Sequence, residues 1–273
     1  MKLFDLNRKV AVVSGAAQGM GRATALALAE CGADVMLVDR NQDGAEATAV
    51  EIRSMGRRAA ASACDVSDPL AISELFQQID REFGRVDFLG NIAGDGHLSK
   101  PEDLTIADLH RVLQNLVVGR FAMCQEAGRR MLAQGRGSIM NIGSLASTTA
   151  LGRGHIAYSM AMGAVIQMTR ELSTEWSCRG VRVNCVTPAQ VLNPGLEARM
   201  KDDPALEDRF LNGIPSGRLG RPNDIQGLAV LLASDASEWI TGAIIPMDGG
   251  NTAMNAGGTP GHQRKAVQRF DGK

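Results

Sequence analysis

A glycine-rich turn near the amino terminus is the first segment whose residue types and spacing favour chemistry. Gly15, Gly19 and Gly21 follow a short apolar run and open a helical pattern. Glycines permit a tight turn and let backbone amides approach a pyrophosphate, whose charge is favoured at a helix N-terminus. An ordinary strand–helix turn is the alternative, but the order of strand, glycines, helix and second strand favours a nucleotide site.

The acid that ends the second apolar run indicates which nucleotide binds. A carboxylate at Asp39 suits both hydroxyls of the adenosine ribose and repels a 2′-phosphate. No lysine or arginine lies between Gly15 and Gly21, although Arg22 and Arg40 are near. These residues predict NAD rather than NADP as the cofactor. A helix-capping role for Asp39 is the alternative.

The rest of the chain alternates short apolar runs with longer helical patterns. Strands are predicted at residues 10–14, 35–38, 59–63, 88–92, 138–142, 181–186 and 243–247, and helices at about 43–55, 70–83, 106–133, 158–178 and 223–233. Strands without polar alternation, each joined to the next by a helix, predict a parallel sheet covered on both faces. Right-handed crossovers then give an α/β fold, a Rossmann-type doubly wound parallel sheet in a single domain.

The predicted domain covers residues 1–250, and residues 251–273 form a glycine-rich, then basic tail. The length of 273 residues, with 44% apolar and 22% charged residues, suits one domain with a sizeable core. A formal net charge of −1 gives no electrostatic case for nucleic acid or an anionic membrane as partner. No signal peptide or spanning apolar run is present. Five scattered cysteines without a CxxC pair indicate reduced thiols rather than a metal site, so we expect a cytoplasmic protein.

Several segments share their pattern with one enzyme family. The spacing Gly15-x-x-x-Gly19-x-Gly21 resembles the TGxxxGxG fingerprint of the short-chain dehydrogenase/reductases, with Ser14 in place of threonine. Further resemblances extend over about residues 6–250: Cys64-Asp65-Val66, Asn91-Ile92-Ala93-Gly94, the strand at 138–144, the segment 182–189, Gly220-Arg221-Pro222 and Met247-Asp248-Gly249-Gly250. The resemblance implies an oxidoreductase that interconverts a secondary alcohol and a ketone with NAD(H), a small-molecule substrate and a homotetramer.

The resemblance also assigns residues to the cofactor. The implied cofactor-binding residues are Gly15, Gln18, Gly19, Met20, Gly21, Asp39, Asp65, Val66, Asn91, Ala93, Gly94, Tyr158 and Asn193. Asp65 looks like the strand-end aspartate that binds the adenine ring. Asn193 stands where the family usually has threonine and could bond the nicotinamide carboxamide.

Ser144 and Tyr158 match the family's catalytic serine and tyrosine, fourteen residues apart. In the family, the tyrosine donates or accepts the proton while hydride passes to or from nicotinamide, and the serine hydrogen-bonds the substrate oxygen. A lysine four residues after the tyrosine binds the nicotinamide ribose and lowers the pKa of the tyrosine. Met162 occupies that position in this chain.

A second group of the family's proton relay is also displaced. An asparagine in the long helix holds a water that connects the lysine to solvent. Counting without gaps from Phe121 places Leu116 at that position, with Asn115 one residue earlier. One residue rotates a side chain by about 100° on an α-helix. Asn115 therefore substitutes only if the helix shifts locally.

Loss of the lysine has a consequence of known size. A free tyrosine has a pKa of about 10 and is a poor base at neutral pH. Without a nearby cation we expect proton transfer to slow by roughly 10²–10³-fold. His97, Lys100 and His155 lie near the site in sequence and are candidate replacements. The alternative is a catalytically impaired relative that binds nucleotide or ligand or serves as a partner subunit.

The segment 193–215 is long and irregular and looks like the family's mobile lid over the substrate. Its apolar residues suggest a moderately hydrophobic compound. By the same resemblance, the helices predicted at 106–133 and 158–178 form one interface of the homotetramer and the last strand forms another.

Overall fold

Seven short apolar segments pair in parallel and form one sheet in the computed structural model, which describes residues 2–254 and 258–263. The strands are β1 (Val10–Ser14), β2 (Asp34–Asp39), β3 (Ala59–Ala63), β4 (Phe88–Asn91), β5 (Gly137–Ile142), β6 (Val181–Pro188) and β7 (Ile244–Met247). Their spatial order is β3-β2-β1-β4-β5-β6-β7. The winding reverses between β1 and β4, and ligands of such sheets bind at the carboxyl edge beside the reversal. The predicted α/β class and Rossmann-type sheet are confirmed.

Helices cover both faces of this sheet. They are α1 (Gly19–Glu30), α2 (Gln42–Ser54), α3 (Pro69–Glu82), α4 (Ile106–Leu113), α5 (Arg120–Gln134), α6 (Ile156–Trp176), α7 (Pro194–Asp202), α8 (Leu206–Leu211) and α9 (Gln226–Ala233). Alternate residues of β1 enter two separate cores, because successive strand side chains point to opposite faces. Val13 packs with α1, α2 and α9, whereas Val12 packs with α3 and α5.

The helix predicted at 106–133 is not continuous. Residues Gln114–Gly119 form a π-helical turn between α4 and α5. Hydrogen bonds in such a turn span one residue more than in an α-helix, so the side chains before it are rotated relative to those after it. Gly119 ends the turn where there is no room for a side chain, since an added Cβ would lie 1.8 Å from the carbonyl oxygen of Val66.

The segment 193–215 contains the two short helices α7 and α8. The side chain of Asn193 caps α7 by accepting a hydrogen bond from the amide of Leu196 at 3.0 Å, which satisfies one of the free amides of the first turn. Leu196 packs with Leu206 and Phe210 and so joins the two helices. The tail predicted at 251–273 lies largely outside the described residues. In the described part of the chain, no helix combines the length and apolarity needed to cross a membrane.

Helix α1 approaches the glycine turn so closely that Gly21 leaves no space for a side chain. A Cβ on Gly21 would lie 2.0 Å from the carbonyl oxygen of Gly15. We expect Gly21→Ala to displace α1 and to lower the free energy of unfolding by about 2 kcal/mol, measured by urea denaturation. Gly227→Ala in α9 is the control, because an added Cβ there meets no described atom within 4 Å. Equal stability of the two variants would contradict this packing.

Candidate active site

A cavity of about 480 Å³ opens at the carboxyl edge of the sheet, beside the reversal between β1 and β4. Gly19 and Met20 of the glycine turn line it on one side. Ser144, which follows β5, and Tyr158, in the first turn of α6, line it as well. The cavity thus joins the predicted nucleotide turn to the predicted catalytic pair.

The glycine turn has the backbone shape that an anion site requires. Gly15 and Gly19 adopt positive φ angles of 71° and 57°, a conformation that favours glycine. Gln18 precedes α1 without a side-chain capping bond, and the first turn of α1 has no acidic residue. The first amides of α1 are therefore left for an external anion such as a pyrophosphate.

Asp39 is held at the end of β2 with its carboxylate oriented by two amides. The carboxylate accepts hydrogen bonds from Ala17 at 3.0 Å and from Asn41 at 2.9 Å. Asn41, not Asp39, caps α2 by accepting from the amide of Gly44. The capping alternative for Asp39 therefore does not hold, and its remaining lone pairs are open to ribose hydroxyls.

Asp65 follows β3 beside the end of β2, because the amide of Cys64 donates to the Asp39 carbonyl at 3.1 Å. One carboxylate oxygen of Asp65 accepts from the amide and the hydroxyl of Ser67. The hydrogen bond from the Ser67 amide, and to a smaller extent that from the Ser67 hydroxyl, hold the pKa of Asp65 below its ordinary value. Val66 is buried. The two predicted acids thus lie at the ends of neighbouring strands.

Asn91, predicted to bind the cofactor, has its side chain committed inside the protein. Its amide donates to the carbonyl of Arg120 at 3.0 Å and to Oδ1 of Asn141 at 3.1 Å. Asn141 in turn donates to the hydroxyl of Thr169 in α6 at 3.0 Å. This buried chain of hydrogen bonds ties β4, β5 and α6 together, so the Asn91 side chain positions the site rather than reaching the cavity.

The turn after β4 is fixed from the end of β1. The hydroxyl of Ser14 accepts hydrogen bonds from the amides of Ile92 at 2.9 Å and Ala93 at 3.0 Å. Gly94 follows directly, and an added Cβ there would lie 2.3 Å from Cδ2 of Leu116. The helix around Leu116 therefore packs tightly against the predicted cofactor residues Ala93 and Gly94.

The catalytic pair has its polar groups directed by local structure. The hydroxyl of Ser144 accepts from the amide of Ala146 at 3.1 Å, which leaves its proton to donate to a substrate oxygen. The ring of Tyr158 packs edge-to-face against His155, with 6.1 Å between ring centroids. Ser144 and Tyr158 line the same cavity, so one small molecule can contact both hydroxyls.

Met162 is a packing residue. It is completely buried in an apolar cluster with Leu116, Val165 and Cys185, and Tyr158 packs against this cluster. A thioether fills irregular apolar space well and carries no charge. The position four residues after the tyrosine therefore provides no cation.

The π-helical turn decides which residue of the helix faces the site. Oδ1 of Asn115 accepts a hydrogen bond from the amide of Asp95 at 2.9 Å, in the turn after β4. Leu116 lies in the apolar cluster with Met162. The two positions of the family's relay, Leu116 and Met162, therefore lie together in the apolar cluster, while Asn115 bonds to the turn after β4.

The three candidate replacements for the lysine have different positions. His97 and His155 line the cavity, whereas Lys100 does not. Burial lowers the pKa of His155, and the charges of Arg153 and Arg199 act in the same direction, although Nδ1 lies 2.9 Å from the Arg153 carbonyl. These effects favour the neutral imidazole of His155, which carries no positive charge.

Arg120 is a buried cation that the motifs did not single out. Its side chain is only 3% exposed. Its guanidinium donates to the carbonyls of Ile142, of Ala93 at 3.2 Å and of Ile92 at 3.4 Å. Burial lowers the pKa of Arg120. A signal existed in the sequence, because Arg120 shares the buried stripe of α5 with residues spaced as one helix face, Met123, Cys124, Ala127 and Met131.

Comparisons with known proteins show the family of this chain. The family model described as enoyl-(acyl carrier protein) reductase matches residues 15–252. The D-threitol dehydrogenase of Mycolicibacterium smegmatis is 41% identical over 249 residues, which cover 91% of this chain and 95% of that protein. The chain belongs to the short-chain dehydrogenase/reductase family. It is an oxidoreductase, as the resemblance implied.

Two further relatives differ in the cofactor that their descriptions name. The NAD-dependent glycerol dehydrogenase of Listeria innocua is 35% identical, over 92% of this chain and 96% of that protein. The crystal structure of a gluconate 5-dehydrogenase from Burkholderia cenocepacia, in complex with NADP and tartrate, is 28% identical with a TM-score of 0.87, over 93% of this chain and 99% of that chain. Membership of the family thus indicates a nicotinamide dinucleotide, NAD or NADP, as the cofactor.

Proposed function

We propose that this short-chain dehydrogenase/reductase transfers hydride between NAD(H) and a secondary alcohol or its ketone, with Ser144 and Tyr158 at the reacting oxygen. The observation that carries the proposal is the shared cavity in which Ser144 and Tyr158 meet Gly19 and Met20 of the glycine turn. The glycine turn would hold a dinucleotide at the carboxyl edge of the sheet, where ligands of this fold bind, in the cavity that Ser144 and Tyr158 line.

The residues present fit NAD better than NADP. The uncapped first turn of α1 suits the pyrophosphate, and the oriented carboxylate of Asp39 suits the ribose hydroxyls. Arg22, one of the two arginines near Asp39 in sequence, is paired with Glu51. The charge of Arg22 is therefore partly neutralised. Of these two arginines, the exposed Arg40 alone is left to attract a 2′-phosphate, and this favours NAD.

Proton transfer in this mechanism is the work of Tyr158. A bound NAD⁺ would supply the acceptor for the hydride of the carbinol carbon when the alcohol is oxidised. Tyr158 takes the hydroxyl proton, and Ser144 donates a hydrogen bond to the same substrate oxygen. We assign the role of the family's helix asparagine to Asn115, which the π-helical turn directs toward Asp95. Reduction of the ketone reverses these steps.

We also propose a homotetramer. Apolar side chains are exposed on the helices α4, α5 and α6, including Ile106 at 66%, Phe121 at 41% and Met160 at 48%. Trp239, shortly before β7, is 99% exposed. Exposed apolar side chains on adjoining helices are typical of subunit interfaces. Both surfaces correspond to the interfaces that the family resemblance implies.

A nucleotide-binding subunit without catalysis is the second candidate. The observation that favours it is the apolar environment of Met162 where the family has its lysine. This candidate predicts cofactor binding without turnover.

Replacement of the tyrosine separates the two candidates. We expect Tyr158→Phe to lower kcat by about 10²–10⁴-fold, because the proton has no other acceptor at the substrate oxygen. NAD binding, measured by calorimetry, should weaken by no more than about tenfold, because the glycine turn and Asp39 are intact. Ser159→Ala is the matched control, since Ser159 does not line the cavity. Parent protein that binds NAD but oxidises none of a panel of secondary alcohols would support the non-catalytic subunit instead.

Replacement of Asp39 tests the choice of cofactor. Asp39→Ala removes the carboxylate that suits the ribose hydroxyls and repels a 2′-phosphate. We expect kcat/KM for NAD to fall by about tenfold and the preference for NAD over NADP to disappear. Asp43→Ala, an exposed acid in the first turn of α2, is the control for a general change in charge. An unchanged ratio of the two kcat/KM values contradicts the assignment.

A further inference from the structure

Arg120 is a buried charge without a counter-ion among the described residues. Its hydrogen bonds go to backbone carbonyls, and its Nε has no partner in the described structure. Burial raises the pKa of the neighbouring thiols, Cys124 to about 12 and Cys185 to about 11, so both are neutral at neutral pH. A buried charge that is not paired is costly. An anion that forms near Arg120 during the reaction would therefore be stabilised by its charge.

The position of Arg120 indicates which anion that is. The carbonyls that it binds belong to Ile142, two residues before Ser144, and to Ala93 in the turn after β4. Nη2 lies 3.0 Å from where a Cβ of Gly94 would be, directly below the catalytic edge. Burial lowers the pKa of Arg120, and the strongest opposing contribution comes from Tyr158. The ring of Tyr158 packs against the same turn after β4, because an added Cβ on Gly96 would lie 3.1 Å from its Cδ2. The guanidinium and the catalytic tyrosine therefore both border this turn.

We propose that Arg120 supplies the positive charge that stabilises the phenolate of Tyr158, in place of the lysine whose position Met162 occupies. The proposal rests on the proposed function, because it gives Tyr158 the role of proton acceptor. As the alcohol is oxidised, its proton moves to the phenolate oxygen while the hydride leaves for NAD⁺. Arg120 touches neither substrate nor proton and acts as a positioning residue. A guanidinium remains protonated throughout the working pH range.

Other groups also face Tyr158 and must be separated from Arg120. They are Arg153 and His155 just before α6, Asp95 and His97 after β4, Arg199 of α7 and Cys185 of β6. The arginines keep their charge over the pH range of a titration, and burial raises the pKa of Cys185 to about 11. These groups are the same in the parent and in every Arg120 variant. Variants at Arg120 that change charge alone therefore isolate its effect on Tyr158.

The chain contains one tyrosine, so the ultraviolet absorbance of tyrosinate reports Tyr158 alone. We expect Arg120→Gln, which keeps an amide donor for the carbonyls but not the charge, to move this titration upward by about one pH unit or more. Arg120→Lys, which keeps the charge, should titrate close to the parent. The alkaline-rising limb of kcat/KM should move with the absorbance, while KM for NAD stays within about twofold.

Arg182→Met is the matched control for a purely structural arginine. Arg182 donates to the carbonyls of Leu232 and Ser234 at the amino end of the sheet, far from the cavity. It should lower stability without moving the titration. A folded Arg120→Gln variant that titrates with the parent overturns the proposal, as does an Arg120→Lys variant that titrates with Arg120→Gln. The absorbance titration needs no turnover. Failure of the proposed function, which the Tyr158→Phe comparison would show, is therefore distinguishable from failure of the Arg120 proposal.

A separate observation concerns the substrate. Arg153 and Arg199 line the same cavity as Ser144 and Tyr158. The guanidinium of Arg153 lies 4.8 Å from the ring centroid of Phe210, which holds it at the mouth of the cavity. Burial lowers the pKa of Arg153, and repulsion from Arg199 acts in the same direction. Neither arginine forms an ion pair with a carboxylate of residues 2–254 or 258–263, and among the described lining residues Asp95 alone is acidic.

We infer that the substrate carries an anionic group, a carboxylate or a phosphate, which binds between Arg153 and Arg199 while its secondary alcohol lies at Ser144 and Tyr158. This inference also rests on the proposed function. Two unpaired guanidinium groups facing one cavity favour an anion and are worth most when shielded from water. The apolar lining residues Leu192, Leu196 and Phe210 still suit the moderately hydrophobic remainder of the substrate that the segment 193–215 suggests.

Matched substrates test the inference. A neutral polyol, its aldonic acid and its phosphate monoester are compared as substrates with NAD. We expect at least about a tenfold higher kcat/KM for one of the two anions, which identifies the group, and loss of that preference in Arg199→Met. Arg179→Met, exposed and outside the cavity, is the control. Preference for the neutral polyol in both parent and Arg199→Met overturns the inference. Binding of the same anions to Tyr158→Phe, measured by calorimetry, tests it even without turnover.

Discussion

The chain that leaves β4 turns away from the sheet, and the site depends on how the backbone groups of this turn are satisfied. Buried amides and carbonyls need partners when the hydrogen-bond ladder ends. The hydroxyl of Ser14 accepts from the amides of Ile92 and Ala93. The guanidinium of Arg120 donates to the carbonyls of the same two residues and to Ile142 at the end of β5. These two side chains fix the edge on which cofactor and substrate meet.

The same contacts place a buried positive charge behind the turn after β4. Carbonyl oxygens compensate a buried guanidinium less fully than a carboxylate does, so Arg120 retains a strong preference for a nearby anion. A charge that is in place before the reaction stabilises a developing phenolate at Tyr158 without reorganisation. The absence of a lysine at position 162 then has a physical explanation, because a second cation beside Arg120 would be repelled. The positive charge of the family's site has moved from α6 to α5.

The sequence predicted the sheet because parallel strands buried on both faces are continuous apolar runs, and strand ends then located the glycine turn and its neighbouring acids. The helix at 106–133 was predicted as one regular α-helix, because the π-helical turn at its middle has no distinct composition. Both Asn115 and Leu116 reach the turn after β4, Asn115 by a hydrogen bond and Leu116 by apolar packing. Arg120 lies on a buried helical stripe with Met123, but motif matching passes over a residue for which the family has no fixed role. Its contacts with carbonyls far away in sequence become visible only in three dimensions.

Exchange of the two residues is the most direct test of the relocated charge. Arg120→Met and a variant that combines Arg120→Met with Met162→Lys are compared with the parent by kcat/KM as a function of pH. We predict that the single variant is slowed by about 10–10²-fold and rises at higher pH than the parent. The combined variant should recover most of the rate and the parent's pH profile, because the family's lysine again supplies the charge. A combined variant no faster than the single variant, or a single variant equal to the parent, would contradict the relocation.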